Sequence, residues 1–318
     1  MDRQDIDWRG YIPAITTPFD KDGALNIGML EELLDWLFAE GMHGIVVAGT
    51  TGEWFSLEPD EKVALFNTVG RKLSGRMSII AGCNAYTAKD AIETAGVASR
   101  AGFDGILLTP PPYIRPTSRE VEAFYRTVSD NIDLPICIYN WPPGTGIDMD
   151  LELLTRLASL DKVVAIKNST SSWEHFLDVF HALHDEVRIF GVPMNQRGMD
   201  LVLEHDADGM MGAGAVLGRL QPEFFNALWR NDTSTAKRMA RLDRALMKEW
   251  FTPELTGRFG SAQAILKAAL NVQGLPGGYP RAPILPLTEN DTERVRETLG
   301  RLGVKVNGQS QESARRAL

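Results

Sequence analysis

The sequence predicts an α/β protein, a (β/α)8 barrel (TIM barrel) with a C-terminal helical extension, and three observations lead to this fold. Short apolar segments alternate with segments of helical spacing eight times along the chain, which is typical of parallel strands joined by helical crossovers. The chain has 318 residues, which is enough for a barrel of such units. The first strand is followed by Thr16-Thr17-Pro18-Phe19-Asp20, whereas an open doubly wound sheet favours a glycine-rich turn there.

Each unit pairs a predicted strand with the helix that follows it. Short apolar runs predict the strands, and apolar residues three or four positions apart predict the helices. The units are 11–16 with 26–40, 44–48 with 59–73, 78–81 with 88–101, 105–108 with 118–131, 135–139 with 151–159, 163–167 with 172–184, 187–190 with 196–205, and 209–211 with 222–229. The catalytic barrel is therefore predicted to span residues 1–231.

The alternation ends near residue 233, and the chain beyond it is predicted to be helical. Three helices, 234–250, 261–272 and 290–302, form a predicted extension over residues 232–307. Neither a charge-rich nor a serine-rich linker precedes them, which favours packing on the barrel. The polar residues 308–318 are predicted to fray.

Composition argues against several classes of protein. With 44% hydrophobic residues, 24% charged residues and a formal net charge of -9, the chain is typical of a globular protein and has no basic surface for nucleic acid. No apolar stretch approaches a membrane span, and the polar N-terminus lacks the apolar core of a signal peptide. Cys83 and Cys137 lie in apolar segments and are expected to be buried free thiols. We therefore expect a cytoplasmic protein.

A charged residue closes the sixth predicted strand. Lys167 ends the run Lys162-Val163-Val164-Ala165-Ile166-Lys167, and burying an ammonium group is costly. Because burial favours the neutral amine, a lysine in this position is suited to attack a carbonyl and form a Schiff base. The alternative is a strand-end lysine whose ammonium reaches solvent, and this segment alone does not decide between the two.

Three other polar segments follow predicted strands and are expected at the same rim of the barrel. They are Gly49-Thr50-Thr51-Gly52-Glu53, Pro110-Pro111-Pro112-Tyr113 and Tyr139-Asn140-Trp141-Pro142. The N–H groups and hydroxyls of the first segment suit a carboxylate, although a capped tight turn explains the same residues. Tyr139 is suited to proton transfer, with an ordinary core position as its alternative.

These motifs resemble those of the dihydrodipicolinate synthase / N-acetylneuraminate lyase family, whose members are Schiff-base aldolases, synthases and dehydratases acting on 2-keto acids. The similarity is carried by residues 49–53, by Tyr139-Asn140-x-Pro142 and by Ile166-Lys167. It extends over roughly residues 11–287 and includes Ile12-Pro13-Ala14-Ile15-Thr16-Thr17-Pro18-Phe19 and Pro283-Ile284-Leu285-Pro286-Leu287.

The resemblance implies a class I lyase that acts on pyruvate or a 2-keto-3-deoxy acid without a cofactor or a metal ion. Lys167 would form the imine with the keto carbon, and Thr50 and Thr51 would bind the carboxylate. Thr50, Tyr139 and Tyr113 match the family's relay of hydroxyl groups, with Tyr113 reaching in from an adjacent subunit. A homo-oligomer, a dimer or a tetramer, is therefore expected.

One departure from the family pattern lies in the loop after Tyr139. Dihydrodipicolinate synthases themselves carry an arginine two residues after the matching proline, and here Gly144 occupies that place. Because that arginine grips the carboxylate of the second substrate, its absence favours cleavage or dehydration of a 2-keto-3-deoxy acid over dihydrodipicolinate synthesis. Arg115 and Arg197 are candidate replacements, and a surface position is the alternative for Arg197.

Further residues are assigned by their place in the pattern. Met211, Arg197, Asn195 and Ser169 follow predicted strands and are expected to line the pocket. Lys267 lies in another apolar run, but that run is predicted to be helical, so its amine is expected to reach solvent along the helix surface. We therefore rank Lys167 above Lys267 as the nucleophile.

Three alternatives remain open from the sequence. A non-catalytic barrel would bind a keto acid without turnover. Gly209, Gly212 and Gly214 follow strand eight, where barrels often hold phosphate, although close packing explains them equally well. His181 and His184 share a predicted helix face, but a polar helix surface explains them better than a metal site.

Overall fold

A computed structural model describes residues 1–307, and it confirms the predicted barrel. The eight strands are β1 (Gly10–Tyr11), β2 (Gly44–Val47), β3 (Ser78–Gly82), β4 (Gly105–Leu108), β5 (Ile136–Asn140), β6 (Val163–Asn168), β7 (Arg188–Phe190) and β8 (Gly209–Met210). All pairs are parallel, in the order β1-β8-β7-β6-β5-β4-β3-β2. The ring closes where Ala14 bridges to Val46, whose N–H donates to the Pro13 carbonyl at 2.8 Å.

The helices surround this ring and continue into the extension. They are α1 (Ile27–Ala39), α2 (Pro59–Leu73), α3 (Ala88–Arg100), α4 (Ser118–Ser129), α5 (Pro142–Thr145), α6 (Leu151–Ala158), α7 (Trp173–Leu183), α8 (Gln196–His205), α9 (Leu220–Trp229), α10 (Thr233–Trp250), α11 (Ala262–Val272) and α12 (Glu289–Arg301). Among residues 1–307, no helix combines the length and apolarity needed to cross a membrane. The proposed division between residues 231 and 232 remains a prediction, and the tail 308–318 lies outside the described residues.

Side-chain caps set several helix starts. The side chains of Asn26 and Ser172 each accept a hydrogen bond from the N–H three residues further on, so each residue caps its helix. A cap residue is only half helical, which explains why the predicted ranges 26–40 and 172–184 begin one residue early. Strand β1 is shorter than its predicted range because Pro13 has no N–H to continue the ladder.

The barrel interior is filled by side chains. A buried cluster inside the ring includes Ile12, Val46, Cys137 and Phe190, as expected for a packed barrel core. Trp8, which is 2% exposed, belongs to the same cluster. Cys137 and Cys83 are both buried free thiols, as predicted. Cys83 lies in the loop that follows β3.

The expected solvent position of Lys267 is wrong. The residue is 1% exposed, its Nζ lies 2.5 Å from Glu53 Oε1, and it donates to the Tyr279 carbonyl at 2.7 Å. The cause is that α11 is apolar around nearly its whole circumference, which is typical of a helix buried on all sides. Burial lowers the pKa of Lys267 to about 8, and the Glu53 carboxylate opposes this shift.

The buried pair between Glu53 and Lys267 yields a stability prediction. Lys267→Met should lower the free energy of unfolding by about 3–5 kcal/mol, because it leaves a buried carboxylate without its partner. Lys72→Met is the matched control: its pair with Asp35 is much more exposed, so the loss should stay below about 1 kcal/mol. Urea unfolding measures both, and equal losses would contradict the structural role given to the buried pair.

Candidate active site

The carboxyl ends of the strands surround a cavity of about 500 Å³ at the rim where the sequence places its polar motifs. Most residues expected at the site line it: Lys167, Tyr139, Thr50, Thr51, Met211, Asn195 and Ser169. The cavity continues under the C-terminal extension, where α10 and α11 supply further walls. The barrel thus brings together side chains from loops that are far apart in sequence.

Lys167 lies within β6, paired with Tyr139 of β5 and Phe190 of β7 in the sheet register. The residue is 7% exposed, and burial lowers its pKa to about 8 because the ammonium loses water. Its Nζ lies 4.1 Å from the centroid of the Tyr139 ring. At pH 7 the neutral fraction is therefore roughly a tenth, against less than about a thousandth for a lysine in water.

Tyr139 is a proton donor placed beside that amine. Burial raises the pKa of its phenol, so the hydroxyl keeps its proton at neutral pH. The side-chain hydroxyls of Ser169 and Thr50, which line the same cavity, oppose this rise in the pKa of the phenol. A phenol in contact with two further hydroxyls can pass a proton to a bound molecule and recover it.

The loop after β2 presents N–H groups to the cavity. Ala48 and Glu53 both adopt positive φ, 53° and 56°, which folds the chain between them into a tight turn. Among residues 1–307, no protein acceptor pairs with the N–H groups of Thr50 and Thr51. Consecutive free N–H groups in such a turn attract a carboxylate, so the geometry fits the anion-binding role expected of Thr50 and Thr51.

Neighbouring elements hold this loop in place through its carbonyl groups. Thr17 Oγ1 donates to the Gly52 carbonyl at 2.7 Å, and Gln263 Nε2 from α11 donates to the Thr50 carbonyl at 3.0 Å. Glu53, at the end of the loop, is anchored to α11 by its ion pair with Lys267. The C-terminal extension is therefore part of the support of the site. Sequence reasoning missed this because the partners are about two hundred residues apart.

A second polar network joins the ends of β5 and β6. Asn140 Nδ2 donates to Asp148 Oδ1 at 2.8 Å and to Asn168 Oδ1 at 3.1 Å. Asn140 Oδ1 accepts from the Met149 N–H at 3.1 Å. Since Asn140 follows Tyr139 and Asn168 follows Lys167, the network fixes the backbone on which both reactive groups stand.

The structure does not place either candidate arginine at the cavity. Arg197 is exposed on α8, and its guanidinium lies 5.2 Å from the centroid of the Trp173 ring. It therefore has a surface position, and the expectation that it lines the pocket is corrected. Arg115 is also exposed, and its Nε lies 2.8 Å from where a Cβ on Gly146 would stand.

Tyr113 does not line the cavity of its own chain. It is 90% exposed and lies on the loop after β4 with a φ of 77°. Such exposure of a large aromatic side chain is consistent with the expected reach toward another subunit.

Close packing explains two glycines at β8, Gly209 within the strand and Gly212 just after it. A Cβ on Gly209 would lie 2.1 Å from the Gly10 carbonyl oxygen, and one on Gly212 would lie 2.5 Å from the Tyr11 hydroxyl. These distances are far below any normal contact, so neither position has room for a side chain. Close packing therefore accounts for two of the three glycines that suggested the phosphate alternative, and the third, Gly214, has a φ of 67°.

Sequence reasoning also missed a polar end of the cavity. Gln221 Nε2 donates to the Tyr11 hydroxyl at 2.7 Å and to Asp243 Oδ1 at 3.2 Å. Burial raises the pKa of Asp243 to about 6, and the hydrogen bond from Gln221 opposes the shift. The three residues come from β1, α9 and α10, so no local sequence motif predicts that they lie together.

A buried amine with a lowered pKa beside a phenol, inside a barrel, is suited to imine formation with a ketone, and this fold and site are those of a class I, Schiff-base-forming lyase. The model of the Dihydrodipicolinate synthetase family matches residues 7–302. The chain belongs to this family.

Individual relatives agree with that assignment. The chain is 33% identical over 295 residues to a 4-hydroxy-tetrahydrodipicolinate synthase of Limosilactobacillus reuteri, covering 90% of this chain and 91% of that protein. It is 30% identical over 301 residues to an uncharacterized DapA-like lyase of Rhizobium meliloti, covering 93% and 96%. The crystal structure of the chloride-inhibited dihydrodipicolinate synthase from Acinetobacter baumannii, complexed with pyruvate, is similar with a TM-score of 0.78 and 27% identity, covering 93% and 99%.

Two lysines have pKa values near 8, and their surroundings predict which one reacts. Borohydride added with pyruvate should attach one reduced three-carbon unit to Lys167 and none to Lys267, because the Lys267 amine is paired with Glu53. Labelling at a fixed short time should rise with pH up to about 8 and then level off, since the neutral amine is the nucleophile. Peptide mass spectrometry locates the label, and a label on Lys267 would contradict this prediction.

Proposed function

We propose that this chain catalyses carbon–carbon bond cleavage or formation, or dehydration, at a 2-keto acid through an imine on Lys167. The observation that carries the proposal is the desolvated Lys167 amine in one cavity with the Tyr139 phenol and the free N–H groups of Thr50 and Thr51. The pyruvate complex of the Acinetobacter baumannii synthase supports pyruvate as the unit that forms the imine.

The residues divide the reaction between them. Thr50 and Thr51 bind the carboxylate of the keto acid, which places its keto carbon next to the Lys167 amine. The amine attacks that carbon, water leaves, and the resulting protonated imine draws electrons from the neighbouring C3. Tyr139 supplies and removes protons during these steps and exchanges them with Thr50 and Ser169.

Synthesis of 4-hydroxy-tetrahydrodipicolinate, the activity named for the Limosilactobacillus reuteri relative, is the second candidate. The family membership is compatible with it. That reaction requires a grip on the carboxylate of a second substrate, and Gly144 provides none. Since Arg115 and Arg197 both lie away from the cavity, we favour a different second substrate.

We further propose that the protein is a homo-oligomer, a dimer or a tetramer, in which Tyr113 enters the site of an adjacent subunit. The exposure of Tyr113 and its match to the family's hydroxyl relay support this assembly. Light scattering measures the mass directly, and a monomer at micromolar concentration would contradict the assembly.

Two variants separate imine formation from proton transfer. Tyr139→Phe should still be labelled by pyruvate and borohydride, but its turnover should fall by roughly 10²–10⁴, as expected for lost acid–base catalysis. Lys167→Arg should fold but lose both labelling and turnover, because a guanidinium does not deprotonate. Release of pyruvate from 4-hydroxy-2-keto acids provides the assay. Normal turnover by Tyr139→Phe, or a label on folded Lys167→Arg, would contradict the assigned roles.

A further inference from the structure

The side chain of Trp141 explains why residue 144 is glycine. An ideal Cβ on Gly144 would lie 2.2 Å from Cε3 and Cζ3 of Trp141, far inside any normal contact. The backbone itself does not demand glycine, because Gly144 lies in the short helix α5 and has no positive φ. The indole of Trp141 therefore occupies the space into which any side chain at position 144 would begin.

That indole forms a wall of the cavity beside the reactive groups. Trp141 lines the cavity and packs against the cluster inside the barrel. Its ring is nearly parallel to that of Tyr139, with an interplanar angle of 7° and 6.1 Å between the centroids. The apolar indole thus fills the space at position 144, where dihydrodipicolinate synthases carry a charged arginine.

Apart from its polar end at Tyr11, Gln221 and Asp243, much of the chamber is also apolar. Four methionine side chains, Met194, Met210, Met211 and Met247, line it, and methionine adapts its shape to apolar ligands. Apart from Lys167, the only basic side chain that lines the chamber within residues 1–307 is Arg244, which is exposed on α10 next to the acidic Asp243. A second carboxylate placed between Trp141 and the methionines would be desolvated without a partner, which is costly.

We infer that the carbonyl compound that reacts with the pyruvate unit is an uncharged, apolar aldehyde, and that Trp141 selects it. This inference rests on the proposed function, because it names the second substrate class of the same site. Between Trp141 and the methionines, the lining disfavours both a semialdehyde bearing a carboxylate and a polyhydroxylated aldehyde.

The reaction balances without an oxidant or a reductant. Pyruvate condenses with the Lys167 amine to give the protonated imine and water, and loss of a C3 proton gives the enamine. C3 then bonds to the aldehyde carbon, and the aldehyde oxygen takes up a proton to become a hydroxyl group. Water hydrolyses the imine, releasing a 4-hydroxy-2-keto acid and the free amine. Cleavage is the same sequence in reverse.

A panel of three aldehydes tests the inference on the wild-type protein. Condensation with pyruvate is followed by liquid chromatography for benzaldehyde, succinic semialdehyde and glyceraldehyde. We expect kcat/KM for benzaldehyde to exceed the other two by about 100-fold, because the apolar walls leave a carboxylate or hydroxyl groups unpaired. Equal values, or a preference for either polar aldehyde, would overturn the inference.

Variants at two positions test the role of Trp141. In Trp141→Ala/Gly144→Arg the indole is removed and a guanidinium is added, so succinic semialdehyde should gain about 10-fold or more in kcat/KM while benzaldehyde loses at least as much. Trp141→Ala/Gly144→Ala is the matched control, which lacks the cation and should lose benzaldehyde activity without the gain. An unchanged preference in the arginine variant would overturn the role given to Trp141.

The outcomes separate the inference from the proposed function. Pyruvate and borohydride labelling of Lys167 reports the proposed function in every variant, independently of the aldehyde. One result would overturn the inference but leave the proposed function standing. In it, Lys167 is labelled, the wild-type protein prefers succinic semialdehyde, and Arg244→Gln abolishes that preference, which would identify Arg244 as the partner of the substrate carboxylate. Absence of labelling in the wild-type protein would overturn the proposed function itself.

Discussion

The site depends on keeping one amine out of water. Lys167 lies on β6, between β5 and β7, and its side chain is 7% exposed where it lines the cavity inside the ring of strands. Desolvation then lowers its pKa to about 8, so part of the amine is neutral near neutral pH. The Tyr139 ring packs beside this amine, and the Asn140 network fixes the ends of β5 and β6 on which both residues stand.

The two buried lysines differ in what surrounds their amines. Lys267 has the same lowered pKa, but its Nζ contacts the Glu53 carboxylate and the Tyr279 carbonyl, whereas Lys167 faces a cavity. The Lys267 amine instead anchors the loop that presents Thr50 and Thr51. Barrel and extension therefore contribute in different ways: the strands carry Lys167 and Tyr139, and the extension supports the loop that carries Thr50 and Thr51.

The fold could be read from the sequence because each element carries a local signal. Helices α2 and α8 have the predicted bounds, and β1 is shortened by the proline within it. Lys167 and Tyr139 could be singled out because polar residues at strand ends meet at one rim. The position of Lys267 could not, since its partner Glu53 lies in a distant loop. The steric overlap between Trp141 and any side chain at position 144 likewise depends on the orientation of the indole, which residue spacing does not predict.

The central claim is that the Lys167 amine captures a keto carbon while Thr50 and Thr51 hold the adjoining carboxylate. A crystal structure of the protein soaked with pyruvate tests it most directly. We predict continuous density from Lys167 Nζ to C2 of the bound molecule, with its carboxylate against the N–H groups of Thr50 and Thr51 and the Tyr139 hydroxyl within hydrogen-bonding distance. Pyruvate bound elsewhere, or lying in the cavity without a covalent link to Lys167, would contradict the account.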